Sequence, residues 1–251
     1  MADGFRCNIC ANWMPTFPSV WDPREEPTCT FCGSSVRMRG IVHHLSLGLF
    51  ERSVSLPDFP HLPEIVGVGL SDWEAYAKIL EKKFSYTNTF YHQEPFLDIT
   101  ILPPNRFKAC DFLISTEVFE HVPPPVSRAF QGSFDILKPG GLLVLTVPFT
   151  DTPKTKEHFP NLHQFKVVNL GEDYILVNRT AEGGFELHKD LVFHGGPGST
   201  LEMREFSRAD VVHQLEEAGF IEVQVHEGSV PAWGILPPHQ WGLPITARRP
   251  R

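Results

Sequence analysis

Between Asp111 and Phe149 the apolar positions change period twice. Phe112-Leu113-Ile114 is an unbroken apolar run closed by Ser115-Thr116, the pattern of a buried strand ending in a polar loop. After the Pro123-Pro124-Pro125 break, Val126, Ala129, Phe130, Phe134 and Leu137 recur at helical spacing and predict an amphipathic helix. Lys138-Pro139-Gly140-Gly141 stops that helix and turns the chain. Leu142 to Val147, apolar except for Thr146, is a second strand. Strand, crossover helix and strand make a βαβ unit, whose strands lie parallel with their carboxyl ends on one edge. In open α/β sheets ligands sit at that edge.

The flanks read the same way. Residues 34–50 carry Val36, Ile41, Val42, Leu45, Leu49 and Phe50 at helical spacing, with Arg37 and Arg39 near the start. Glu64 to Gly69 predicts a strand and glycine turn, then a helix opening at Ser71-Asp72 with Trp73, Ala77 and Leu80 on one face. A second strand is expected over Phe84 to Tyr91. A hairpin is expected from Tyr174–Val177 and Phe185–Leu187, and a tight turn at His194-Gly195-Gly196-Pro197-Gly198. His194 reads there as a loop-stabilising residue and a second-rank catalytic candidate. A helix capped by Ser207 and ended by Gly219, a strand from Phe220 to Val225, and a last strand near Leu243–Arg248 complete the pattern.

Length and charge narrow the class. A chain of 251 residues holds one α/β domain and a small appendage. The net charge of −8 argues against a nucleic-acid partner. No apolar run approaches the ~20 residues of a membrane span. The first residues, MADGFRCNIC, hold no apolar signal segment, so a cytoplasmic protein is expected.

Four of the five cysteines fall in the pattern Cys7-x2-Cys10-x18-Cys29-x2-Cys32. Two such knuckles predict a tetrahedral zinc site, closed by four thiolates and therefore structural rather than catalytic. The intervening segment has few bulky apolar groups (Trp13, Phe17, Trp21), so the metal is expected to supply its stability. Cys110, opening a buried strand, reads as a core thiol.

Asp111, the run Glu117-Val118-Phe119-Glu120-His121-Val122, and Leu137-Lys138-Pro139-Gly140-Gly141 together resemble the core of class I S-adenosylmethionine (SAM)-dependent methyltransferases. The resemblance implies an α/β, Rossmann-like, mostly parallel sheet with its last strand antiparallel. The cysteine spacing puts a zinc-binding module over residues 1–35, as an addition to a helix and connector over 36–63 and, as the resemblance implies, a methyltransferase domain over 64–251 with a lid insertion at about 150–205. The resemblance further implies a cofactor site of Gly67, Gly69, Ser71 (where a third glycine is usual), Asn88 (where a carboxylate is usual), Asp98, Ile99 and Thr116, with Arg39 reaching the SAM carboxylate. The glycines would let the backbone pass against the methionine moiety.

The spacing of Glu117, Glu120 and His121 would place them on one side of a helical turn. Small-RNA 2′-O-methyltransferases and ubiquinone-pathway O-methyltransferases look similar here and hold a divalent metal with this pattern. The resemblance implies a second site of Glu117, Glu120, His121 and His163 for Mg²⁺ or another divalent ion; without metal, His121 or His163 would be the general base. The expected function is transfer of a methyl group from SAM to an oxygen of a small molecule, a sugar or natural product. RNA ribose methylation and a catalytically inactive scaffold are the alternatives; acceptor and oligomeric state stay open.

Overall fold

The computed structural model describes residues 4–102, 109–171, 173–236 and 242–251. Six strands form the central sheet: β1 (Leu62–Leu70), β2 (Phe84–Thr89), β3 (Cys110–Thr116), β4 (Leu137–Thr146), β5 (Ile221–Val225) and β6 (Ile245–Arg248). Their order is β5-β6-β4-β3-β1-β2. β1 runs parallel to β2 and β3, β3 runs parallel to β4, and β6 and β5 are antiparallel. This is a Rossmann-like methyltransferase sheet. The chain winds outward from β1 to β2, then returns to β3 and winds the other way, so the order reverses between β1 and β3.

The continuous apolar runs are explained by two covered faces. Alternate residues of β3 and β4 go to opposite sides. Leu113, Leu143 and Leu145 join a core with α3 (Ser127–Ile136) and α4 (Arg208–Glu217), while Phe112, Ile114, Leu142 and Val144 join one with α1 (Val36–Phe50) and α2 (Glu74–Lys83). That second core also takes in Phe5, Cys7, Ile9, Met14 and Cys29. The cysteine-bearing segment therefore shares the core of α1 and has no separate one.

Three local readings are corrected. β2 ends at Thr89; Phe90 makes only an isolated bridge to Phe96. Ser207 caps α4 by position only: its hydroxyl accepts no helix N–H and donates to the Thr152 carbonyl. Glu117, Glu120 and His121 do not share one helical turn. Glu117 continues the sheet ladder through its N–H to the Thr146 carbonyl at φ 54°, and only Phe119–His121 form a short 3₁₀ turn.

The insertion after β4 carries the expected hairpin, Tyr174–Arg179 against Phe185–His188, with Gln164–Asn169 as a third antiparallel strand. Phe159, Leu176, Leu201 and Met203 form its small core. Arg204, fully buried, ties the insertion down: it pairs with Glu157 and donates to the Phe119 carbonyl at 2.7 Å. The Met203 N–H to the Glu120 carbonyl completes the seam.

Candidate active site at the carboxyl edge of the sheet

Beyond β1 the chain turns at Ser71, which is exposed and adopts a left-handed φ of 55° where a glycine would be unstrained. Its N–H donates to the Thr89 carbonyl. Asp72 lies buried beneath this turn, its carboxylate bonded to the hydroxyls of Tyr76 (2.7 Å) and Tyr86. Burial pushes the Asp72 carboxyl up to about 7, against the pull of the two tyrosines. A Cβ on Gly69 would fall on the Tyr86 hydroxyl and the Asp72 carboxylate, and one on Gly67 would fall into the Phe112 ring. Both glycines thus make room for protein groups under the turn.

The expected cofactor residues divide. Both ends of the Asn88 amide clamp the Asp72 backbone, accepting its N–H at 2.9 Å and donating to its carbonyl at 2.8 Å. Asp98 caps its own turn, one oxygen taking the N–H and hydroxyl of Thr100, and Ile99 is buried against Gly132. Thr116 ends β3 at the edge, half-buried. Arg39 is a correction. It is fully buried, and its guanidinium donates to the carbonyls of Trp233, Gly234 and Ser34 and the hydroxyls of Thr28 and Ser34. Every nitrogen is engaged, so Arg39 is a structural tie and has nothing left for a cofactor.

The cations at the edge are Arg24 and Arg37 instead. The turn between the two cysteine knuckles brings Arg24 to Glu117 at 2.8 Å and to the Gly242 carbonyl at 3.0 Å. Arg37, at the start of α1, holds Glu25 in a fork of 2.8 and 2.6 Å. Burial works against ionisation of Glu25, but Arg37 and Arg24 hold it below its ordinary value. The Arg37 charge is also felt at Asp72, Tyr76 and Glu120.

The 3₁₀ turn and the lid meet in a second cluster. Glu120 is fully buried, and neither of its carboxylate oxygens has a hydrogen-bond partner. His121 Nε2 lies 3.6 Å from Glu120 Oε1, while its Nδ1 is bonded to the Leu201 carbonyl at 2.9 Å. Burial lowers the His121 pKa, so the ring is neutral at pH 7. His194 packs edge-on against it, with ring centroids 4.8 Å apart. Glu202 bridges His194 Nε2 (2.7 Å) and His158 Nε2 (2.8 Å). One ligand atom each of Glu120, His121 and His194 lie within 4.8 Å of one another. His163 is elsewhere, exposed on the lid with its N–H on Asn178; His194 takes the place expected of it. Motif spacing had no means of finding Arg24, Glu25, Asp72 or Glu202, because their partners are distant in sequence.

At the other end, Cys7, Cys10, Cys29 and Cys32 converge, with Sγ–Sγ distances of 3.7 Å for Cys7–Cys32 and Cys10–Cys29. Sulfurs at about 2.3 Å from a tetrahedral zinc stand about 3.8 Å apart, so this set fits that ion. Cys110 is buried at the start of β3, its thiol pushed up to about 12 by burial.

A family described as a methyltransferase domain matches residues 44–225. The chain belongs to that family. No curated protein sequence matches it. Among solved structures, the CurJ carbon methyltransferase aligns at 15% identity over 87% of this chain and 56% of its own, with a TM-score of 0.51. SAM-bound CalS10, an amino pentose methyltransferase from Micromonospora echinaspora, aligns at 14% over 86% and 92%, TM-score 0.47. The 1,6-didemethyltoxoflavin-N1-methyltransferase of Burkholderia thailandensis aligns at 15% over 86% and 78%, TM-score 0.45. At such identities the likeness concerns the fold alone. Among the described residues no helix is long and apolar enough to cross a membrane.

Proposed function

We propose that this protein moves a methyl group from SAM to a hydroxyl oxygen of a small molecule, a sugar or natural product, and that its four cysteines hold a structural zinc. The observation that carries the reading is the gathering of Glu120, His121 and His194, just past the end of β3 at the carboxyl edge of a methyltransferase sheet, beside the point where its strand order reverses. A reducing, cytoplasmic setting suits the free thiolate set.

SAM supplies an electrophilic methyl on a sulfonium. In this chain the Ser71 turn, Asp98, Ile99 and Thr116 would line its place, with Arg37 facing the carboxylate in the role first expected of Arg39. With SAM held there, the methyl would pass to the acceptor oxygen with S-adenosylhomocysteine as the leaving group, and the Glu120–His121–His194 cluster would take the hydroxyl proton. Alignment and proton removal are what the residues contribute.

Calorimetric titration with S-adenosylhomocysteine tests the cofactor half. Saturable binding is expected; none under any condition would leave a scaffold protein. For the chemistry, an acceptor screen is followed by His121→Ala, expected to lower turnover by about 10²–10⁴-fold with homocysteine-conjugate affinity kept. Full turnover in that variant would remove His121 from the mechanism.

A further inference from the structure

We propose that the Glu25 carboxylate stands in the place of the cofactor's own carboxylate, and that SAM or S-adenosylhomocysteine binds by displacing it from Arg37 and Arg24. The first observation is the grip on this side chain. Arg37 holds it in a fork, with Nε on one oxygen at 2.8 Å and an Nη nitrogen on the other at 2.6 Å. Arg24 donates to the first of those oxygens as well. A fork of this kind is how a guanidinium recognises a carboxylate. Burial works against the Glu25 charge, yet Arg37 and Arg24 hold the carboxyl below its ordinary value.

The second observation is where the grip lies. Arg37 is in the first turn of α1, and its charge reaches Asp72 and Tyr76 behind the Ser71 turn and Glu117 and Glu120 beyond β3. Those two ends flank the gap between β1 and β3, where the strand order reverses and where ligands of such sheets sit. Among the described residues Glu25 is the one side-chain partner of the Arg37 guanidinium. A cation at the gap is thus satisfied by a carboxylate of the same chain.

The third observation is which partner can yield. The Arg24 and Arg37 side chains are 7% and 12% exposed, that of Glu25 38%. Arg24 is pinned by Glu117 and the Gly242 carbonyl. The backbone around Glu25 is fixed too. Val36 and Arg37 donate their N–H groups to the Pro23 and Arg24 carbonyls, the Asp22 carbonyl takes those of Glu25 and Glu26, and the Asp22 carboxylate takes that of Arg24. Exchange therefore needs only a rotation of the Glu25 side chain toward water. The arriving carboxylate meets arginines already aimed, and no charge is left buried without a partner. Affinity is reduced by the fraction of molecules in which Glu25 is away from the arginines. A ligand without a carboxylate has nothing to exchange and escapes that reduction. The inference rests on the methyltransferase reading above.

The test needs no acceptor. Calorimetric titration of the full-length protein compares S-adenosylhomocysteine with methylthioadenosine, a nucleoside thioether that lacks the amino-acid portion. Glu25→Gln and Glu25→Ala should each tighten S-adenosylhomocysteine about 5- to 50-fold and leave methylthioadenosine within about twofold. Glu26→Gln alters a neighbouring carboxylate that takes the Asp22 N–H instead. It should change neither affinity, which separates displacement from a general loss of negative charge. Arg37→Met should weaken S-adenosylhomocysteine about tenfold or more and spare methylthioadenosine. In Glu25→Ala, added acetate should compete with S-adenosylhomocysteine and not with methylthioadenosine. Near-native circular dichroism establishes that each variant is folded. Unchanged or weaker S-adenosylhomocysteine binding in both Glu25 variants, with methylthioadenosine still bound, overturns the proposal and leaves the methyltransferase reading standing. So does an equal gain in Glu26→Gln. Binding of neither nucleoside by any of these proteins overturns both readings together.

Discussion

Arg24 donates to Glu117 at 2.8 Å, linking the turn between the cysteine knuckles to the residue that follows β3, 93 positions later. Arg24 is almost entirely buried and also holds the Gly242 carbonyl, while Glu117 sits at a positive φ that a non-glycine residue adopts under strain. The pair therefore ties the cysteine-bearing segment to the carboxyl edge of the sheet.

Removing that guanidinium should cost about 1–3 kcal/mol, because the Glu117 and Glu25 carboxylates and the Gly242 carbonyl each lose a donor. Chemical denaturation of Arg24→Met measures it. The midpoint should fall without a change in slope. An unchanged midpoint would mean the pair is replaced by solvent at no loss.

The four cysteines should govern more than their own segment. Cys7 and Cys29 belong to the same buried cluster as Ile41, Val42 and Leu45 of α1. Withdrawing the proposed zinc with a chelator, or Cys29→Ser, should lower the thermal midpoint and abolish S-adenosylhomocysteine binding together. Intact cofactor binding in metal-free protein would show that the module and the edge are independent.

Arg39 makes the contrasting case. Arg39→Met deletes donors to three carbonyls and two hydroxyls, all buried or nearly so. Destabilisation of roughly 3 kcal/mol or more is expected from the orphaned acceptors. At a temperature where the variant is folded, cofactor affinity should stay within about twofold, as no donor of Arg39 is left to reach a ligand. A tenfold weakening would restore the cofactor role that the sequence resemblance implies.

A histidine stack sets part of the acid response. His226 lies 3.6 Å from His44, centroid to centroid. Burial pulls His226 down to about 4 and His44 to about 2, from 6.5. The unfolded chain takes up these protons below about pH 6.5, where the fold still refuses them. Their contribution is thus complete above 6.5 and is lost as pH falls toward 4 and below. Asp72, raised to about 7 from 3.8, has the opposite sign: its contribution is full below 3.8 and is lost as pH rises through 7. Urea midpoints of His226→Gln should decline less between pH 6.5 and 4 than those of the native protein. An equal decline would place the acid sensitivity in other groups.

Much of the fold was readable because its signals are local. The apolar runs at Phe112–Ile114 and Leu142–Val147, the helical spacing between them and the cysteine pairs are each set within a dozen residues or so by side-chain period and ligand spacing. Where local chemistry had two outlets, the reading failed. The Ser207 hydroxyl is turned to the Thr152 carbonyl, 55 positions away, and caps no helix N–H. Arg39 and Asn88 carry groups fit for a ligand, yet the fold presents each with protein partners first.

The amino-acid sequence by itself determined the α/β class, the parallel pairing around the Asp111–Phe149 unit and the identity of the four-cysteine set. Only the tertiary structure decided that Arg24 rather than Arg39 reaches the carboxyl edge of the sheet, and that His194 rather than His163 meets Glu120 and His121. Period and spacing encode what a segment does with its near neighbours. Which of several chemically equal side chains meets a given partner depends on how a long insertion folds back on the sheet, and in this protein the buried Arg204 and the lid seam settle it.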